Sequence, residues 1–385
     1  MHPIYFQTSM GNSSSLPAHP VSIAMGNYSS LPAIPAHPDG TEMKAVCFSG
    51  KGGAELLEVK SVPKPSVDKP SEILIKVHAA ALNPIDKLRV AGKIAMIHPE
   101  QHSTSVLGYD ASGVVEEVGA DVEDFKVGDE VYVRLSGMKW GSLAEYVVCK
   151  TLELAKKPAS ISHVQAAAVP LAGLTALQAL RKAGVTKGSK VFVTAGSGGV
   201  GSLAIQIAKK VLGASYVATT ASPGRGTEIC QQAGADKVVN YREEKFEEAL
   251  AGENFDAVFD TTGEDAKVCP ILAKGGRVVS IVGNPTTECL TEMQDGVPPN
   301  PIVRFFLWMG RNTDAEFAAS SAGGSWEFMF MRPLGEDLAT LAKYLEDGSI
   351  KTFVDVEASS LDDFKVAVDK MYSGRAKGKC VIKVV

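Results

Sequence analysis

A glycine cluster set between a strand and a helix constrains this chain most. Lys190-Val191-Phe192-Val193-Thr194 is a short β-branched run that reads as a strand. Ala195-Gly196-Ser197-Gly198-Gly199-Val200-Gly201 follows, and residues 202–210 then show helical spacing that stops before Gly213. Gly196, Gly198 and Gly201 spell G-x-G-x-x-G in the strand–turn–helix setting that this motif needs. The first glycine permits the tight turn, the second lets backbone approach a pyrophosphate, and the third lets helix pack on strand. The helix N-terminus then offers N–H groups and a partial positive charge to phosphates. Alone, such a motif is weak.

Here it continues into further strand–helix units. Strands are expected at residues 215–220, 236–240, 255–260 and 276–282, with helices at 226–232 and 244–250 between them. Alternating short strands and helices predict a doubly wound parallel sheet with right-handed crossovers, a Rossmann domain. The residues closing its second strand select the cofactor. A site for NAD usually places Asp or Glu there, where it binds the ribose 2′-hydroxyl. This chain instead has Thr219-Thr220-Ala221-Ser222-Pro223-Gly224-Arg225. No carboxylate is present to repel a 2′-phosphate, and hydroxyls with a guanidinium bind one well. NADPH is the expected cofactor.

The chain's 385 residues are enough for two domains and an extension. A net charge of −5 gives no broad electrostatic case for nucleic acid. No apolar run reaches the roughly 20 residues that span a bilayer. The nearest, residues 166–180, is short and broken by Pro170, Gly173 and Gln178. Cys47, Cys149, Cys230, Cys269, Cys289 and Cys380 are too scattered for a zinc ribbon or a thioredoxin-like pair, and each reads as a small buried hydrophobe. Residues 1–43 lack Lys and Arg, are rich in Ser, Pro, Ala and Asn, and carry a near-repeat at Met10 to Pro17 and Met25 to Pro32. They read as a disordered leader without the marks of a secretory or transit peptide, so a cytoplasmic location is expected.

Before the nucleotide region the chain is rich in Val and Gly, with strands expected at 73–77, 113–118 and 130–133. After it, helices are expected at 337–345 and 362–371 and a closing strand at 380–385. Several segments carry a resemblance. They are Asn83-Pro84-Ile85-Asp86, Leu107-Gly108-Tyr109-Asp110 with Gly113-Val114-Val115, residues 125–131, Gly141-Ser142-Leu143-Ala144-Glu145-Tyr146, residues 195–201 and residues 374–379. In this order they resemble the medium-chain dehydrogenase/reductase superfamily, on its zinc-independent quinone oxidoreductase and alkenal reductase branch. The resemblance spans nearly all of residues 43–385.

It implies an α/β protein with a disordered leader at 1–43. A GroES-like β-rich catalytic domain would take 44–168, completed by 335–385, and a Rossmann NADPH-binding domain 169–334, with a cleft between them. By position, Asn83 and Thr175 would contact the nicotinamide side, and Ser197, Gly198, Gly199, Val200 and Gly201 would cradle the pyrophosphate. Thr220, Ser222, Arg225 and Tyr241 would surround the 2′-phosphate. Thr262, Ile281 and Val282 would line the nicotinamide ribose region, with Lys379 a closing contact. Asp86 and Asp110 look structural. A homodimer is also implied.

Zinc relatives place Cys, His and Cys or Glu around a catalytic metal. Here Asn83 falls near the first position, Tyr109 replaces the His, and Pro170-Leu171-Ala172 offers no third ligand. Without soft or imidazole ligands a metal is not held, so none is expected. His98 and His102 read as a surface pair and His78 as a packed side chain. With no nucleophile–base pair evident, the cofactor must carry the chemistry. The expected reaction is hydride transfer from NADPH to a quinone or to the β-carbon of an α,β-unsaturated carbonyl, with Asn83 positioning and Tyr109 a candidate donor. Relatives that reduce enoyl thioesters carry a Tyr where this chain has Val90-Ala91-Gly92-Lys93-Ile94. The alternative is an NADPH-binding scaffold or sensor with little turnover. Residues 288–330 read as irregular, either a substrate wall or a subunit edge.

Overall fold

The computed structural model describes residues 37–94, 104–136, 141–293, 298–299 and 301–385. They fall into two compact units, one holding Thr175–Arg332 and the other the described residues up to Leu174 together with Pro333–Val385. The change from one to the other lies within the helix Pro170–Lys182.

The unit at the two chain ends is built of β1 (Glu42–Phe48), β2 (Glu58–Pro63), β3 (Glu72–Leu82), β4 (Ser105–Val106), β5 (Asp110–Val118), β6 (Glu130–Arg134), β7 (Tyr146–Lys150) and β8 (Leu154–Lys156). The other unit contributes β9 (Lys190–Val193), β10 (Tyr216–Ala221), β11 (Lys237–Asn240), β12 (Phe255–Asp260), β13 (Leu272–Ser280) and β14 (Ser325–Phe328). The chain then closes the first unit with β15 (Val354–Ala358) and β16 (Lys379–Lys383).

In the first unit the main sheet runs β15-β16-β3-β5-β6-β8, with β7 also pairing β3. A small sheet, β2-β1-β4, lies beside it. β3 is central because it is apolar on both faces: Ile73, Leu74, Ile75 and Val77 are all fully buried. β1 takes in Glu42 and Met43, which composition had assigned to the leader. Their ladder to Pro63 and Val62 of β2 decides the point, and Met43 is buried. The rest of the expected leader, residues 1–36, lies outside the described residues.

The second unit has one sheet, ordered β11-β10-β9-β12-β13-β14 and parallel at every pairing. Counted along the chain this is 3-2-1-4-5-6, the Rossmann order, whose direction reverses between β9 and β12. All five expected strands recur, Phe255–Asp260 with its bounds unchanged and the other four with ends shifted by one to four residues. β14 falls within the stretch read as irregular. Its Ser-Trp-Glu-Phe alternation buries Trp326 and Phe328 and leaves Ser325 and Glu327 exposed, a half-buried edge pattern in only four residues. The helix after the glycines runs Gly199–Gln206 and then widens into π-helical turns over Ile207–Val211.

Candidate functional site

The glycine loop leaves β9 through Thr194 and a left-handed Ala195 at φ +50°. Thr220, at the end of β10, clamps it: its Oγ1 accepts from the Ala195 N–H at 2.9 Å and its carbonyl from Gly196 N–H at 2.9 Å. The loop's shape forbids side chains at two glycines. A Cβ on Gly196 would lie 2.1 Å from Thr219 Oγ1, and one on Gly201 would lie 2.4 Å from the Ala195 carbonyl oxygen. Gly198 differs, since its nearest neighbour would be 3.4 Å away. A side chain there would clash with nothing in the fold, so the backbone at Gly198 is open to approach from outside it. The arrangement fits a dinucleotide.

Around this loop, Ser197, Thr220 and Ser222 are buried, and Arg225 is exposed on the first turn of the helix Arg225–Ala233. Tyr241, 41% exposed, follows β11. Thr175 is buried in the helix Pro170–Lys182. Gly199 and Val200 open the helix that Gly201 packs against the loop. Thr262, Ile281 and Val282 gather at the carboxyl ends of β12 and β13.

One residue there was missed by the sequence reading. Asp260 ends β12 fully buried, and its carboxylate accepts from Gly263 N–H at 2.9 Å, Thr262 N–H at 3.1 Å, Thr194 Oγ1 at 3.2 Å and Ser280 Oγ at 2.9 Å. Ser280 Oγ in turn accepts from Val282 N–H at 3.2 Å. Asp260 thus ties together the ends of β9, β12 and β13, and with them Thr262 and Val282. The signal was available: a carboxylate closing the apolar run Phe255–Asp260 needs donors if it is buried, and Thr-Thr-Gly supplies them.

Within the first unit, register gathers a second polar group. β5 starts opposite the end of β3, pairing Asp110 with Ala81, and β16 pairs Cys380 with Leu82. Asn83, Asp110 and Lys379 therefore meet, all buried. Asn83 Nδ2 donates to Asp110 Oδ2 at 2.9 Å, Lys379 Nζ donates to the same oxygen at 3.2 Å, and Lys379 Nζ also donates to Asn83 Oδ1. Asp110 Oδ1 accepts from Leu171 N–H at 2.9 Å. Tyr109, next to Asp110 in the sequence, is buried, its ring 5.0 Å from the guanidinium of Arg134 and 5.7 Å from that of Arg89. His78 and His163 sit elsewhere with ring centroids 4.4 Å apart, and His163 Nδ1 is 2.8 Å from Ser112 Oγ. His98 and His102 lie outside the described residues.

Asp86 caps the helix Pro84–Val90, accepting from Asn83 N–H at 2.7 Å. Complete burial pushes its carboxyl up to about 7, with the nearby Asp110 adding to the effect, while the Asn83 N–H and the Arg89 and Lys379 charges oppose it. The unfolded chain ionises an Asp near pH 4. Folding therefore takes up a proton, and Asp86 costs stability increasingly as pH rises from about 4 to 7 and fully above that. Asp86→Asn keeps an acceptor for the Asn83 N–H and cannot ionise. It is expected to match wild type near pH 4 and to exceed it by roughly 2 kcal/mol at pH 8, since buried sites relax and admit some water. Urea unfolding at both pH values reads this; a variant less stable than wild type at pH 8 contradicts it.

Residues 69–159 match the alcohol dehydrogenase GroES-like domain and residues 233–382 the zinc-binding dehydrogenase family. The chain is 37% identical over 350 residues to the 2-methylene-furan-3-one reductase of Solanum lycopersicum, covering 89% of this chain and 79% of that one. This chain is a medium-chain dehydrogenase/reductase. It belongs to the zinc-independent quinone and alkenal reductase branch of that superfamily, and the nucleotide unit serves a nicotinamide cofactor. The NADPH-dependent alkenal/one oxidoreductase, chloroplastic, of Arabidopsis thaliana is 42% identical over 249 residues, 63% of each chain. Among solved structures, the quinone oxidoreductase from Coxiella burnetii superposes with a TM-score of 0.76 at 32% identity, covering 90% of this chain and all of that one. Despite the zinc in the second family's description, the described residues contain no group of three His, Cys, Asp or Glu that could hold a metal ion. They also contain no helix long and apolar enough to cross a membrane. The six cysteines are all buried, as small hydrophobes would be.

Proposed function

We propose that this medium-chain dehydrogenase/reductase uses NADPH to reduce a quinone or the C=C bond of an α,β-unsaturated carbonyl. The observation that carries the reading is the buried Asn83–Asp110–Lys379 group, which sets an amide donor and an ammonium together at Asn83, the residue near the first ligand position of zinc relatives. When bound, NADPH supplies the hydride. Negative charge then grows on the substrate oxygen, and fixed donors in a buried setting stabilise it without reorganising. Asn83 would donate, Lys379 would keep the local potential positive, and Tyr109, its ring held beside two guanidiniums, would be a further donor. The Arabidopsis and Solanum relatives, by name an alkenal/one oxidoreductase and a furanone reductase, support this substrate class.

Following the loss of NADPH absorbance with quinones, enones and enals tests the proposal. Tight NADPH binding without turnover on any of them favours the scaffold or sensor alternative.

The choice of NADPH over NADH rests on the end of β10, where Thr220, Ser222 and Arg225 replace a carboxylate, with Tyr241 following β11. Arg225→Ala should weaken NADPH by about 10- to 100-fold, the worth of one charge-assisted pair, and leave NADH within about twofold. Equal losses for both cofactors reject the assignment. Two smaller proposals accompany it. β14, the last strand on its side of the sheet among the described residues, supports a homodimer, readable by light scattering. The basic-free composition of residues 1–43 supports a cytoplasmic address, which a fluorescent fusion found in plastids or mitochondria would reject.

A further inference from the structure

Asn83, Asp110 and Lys379 close a ring of hydrogen bonds, and the ring has a polarity. The Asn83 amide oxygen faces the Lys379 ammonium and the amide nitrogen faces the Asp110 carboxylate. Turning the amide over would set N–H against ammonium and oxygen against carboxylate, so only one orientation is favourable. Asp110 is itself fixed, because its other oxygen accepts from Leu171 N–H. An amide nitrogen carries two hydrogens, and Asp110 engages one. The other is therefore offered as a donor in a set direction.

We propose that Asp110 and Lys379 are positioning residues that lock the Asn83 amide so that its second N–H meets a carbonyl oxygen. That oxygen belongs either to the nicotinamide carboxamide or to the reducible substrate. The claim rests on the reductase reading and adds to it the way Asn83 is oriented. Asp110 acts only through Asn83 and Lys379.

The test exchanges the two residues: Asn83→Asp combined with Asp110→Asn. The exchange keeps most of the ring: Lys379 still meets a carboxylate, now at position 83, and Asn at position 110 still accepts from Leu171 N–H and donates to that carboxylate, although its NH2 then faces the Lys379 ammonium where Asp110 Oδ2 had accepted. Position 83, however, now presents only acceptors. The exchanged protein should keep its thermal midpoint within about 4 °C of wild type, about 1 kcal/mol for a unit of this size. Its kcat/KM should fall about 100-fold or more, the usual loss for one fixed oxyanion-type donor. NADPH titration by fluorescence separates the two oxygens. A Kd about 10-fold weaker or worse points to the carboxamide, and an unchanged Kd with the loss in kcat points to the substrate.

An exchanged protein with both kcat/KM and Kd within about threefold of wild type, the error of such comparisons, overturns the proposal. Should the exchange not fold, Asp110→Asn alone decides. It frees the amide to turn and should lose about 10-fold in kcat/KM, whereas wild-type kinetics would overturn the claim. Wild type that binds NADPH yet turns over no quinone or enone defeats the reductase reading instead. The Kd of the exchanged protein then decides the positioning claim by itself, an unchanged value overturning it.

Discussion

Gly201→Ala is expected to strain the fold and weaken dinucleotide binding about 100-fold or more, while Gly198→Ala spares the fold and weakens the cofactor alone. The two sites separate what the loop needs for its own packing from what it needs for a ligand. A methyl group at position 201 would meet the Ala195 carbonyl oxygen at 2.4 Å and Gly196 Cα at 2.8 Å, both backbone atoms that cannot turn aside. The helix Gly199–Gln206 must move off the loop, at roughly 1–3 kcal/mol for an overpacked contact. That shift also displaces the N–H groups aimed at the pyrophosphate, so affinity should fall about 100-fold or more, two steps of 1.4 kcal/mol. At position 198 the same methyl finds only Ala195 O at 3.4 Å, and the backbone there, φ −78°, suits any residue. The apoprotein should melt within a degree or two of wild type, since replacing glycine at a helix N-cap costs only about 1 kcal/mol or less. NADPH and NADH should each bind about 10- to 100-fold more weakly, because the methyl occupies the approach of the shared pyrophosphate. Fluorescence titration with both cofactors reads the result; full affinity in Gly198→Ala means the loop is not the phosphate cradle.

What the sequence discloses depends on how far apart the partners stand along the chain. Gly196, Gly198 and Gly201 are read directly because turn, strand and helix are contiguous, and the meaning of each glycine is local. The absence of a carboxylate after β10 is likewise local. The Asn83 ring is a different case. Asn83 and Lys379 are 296 positions apart, and they meet only because β16 returns antiparallel to β3 in one register. A slip of one residue would turn Lys379 to the other face. Resemblance brought both residues to attention, yet their hydrogen bonding to Asp110, which had looked merely structural, follows from that register alone. β14 escaped for a different reason. Four residues with a Glu and a Ser on the exposed face carry too little hydrophobic signal, and it is the vacant side of β13 that recruits them. Glu42 and Met43 were lost to the leader because composition averages over a window, whereas a ladder to β2 is decided pair by pair.

Asp260→Ala should destabilise the nucleotide unit by roughly 3–5 kcal/mol, the cost of breaking a buried charged network rather than of losing one hydrogen bond. Donors converge on this carboxylate from three strand ends: the Thr262, Gly263 and Glu264 N–H groups and the hydroxyls of Thr194, Thr262 and Ser280. Alanine leaves them in a space where Asp260 itself is fully buried, so water replaces the carboxylate poorly. Asp260→Asn is the sharper variant. It keeps one acceptor oxygen and turns an NH2 toward the remaining donors, so its loss should lie between those of wild type and alanine. Both variants release the turn carrying Thr262 and, through Ser280, the strand end carrying Val282. Affinity for the nicotinamide half should then suffer more than affinity for the adenosine half. The comparison is between NADPH and adenosine 2′,5′-bisphosphate, which lacks the nicotinamide. Asp260→Asn should weaken NADPH by about 10-fold, one step of 1.4 kcal/mol, and leave the bisphosphate almost unchanged. Equal weakening of both would show that Asp260 supports the sheet as a whole rather than the nicotinamide end of it. A denaturant midpoint unchanged in Asp260→Ala would show that the buried carboxylate is dispensable to the fold.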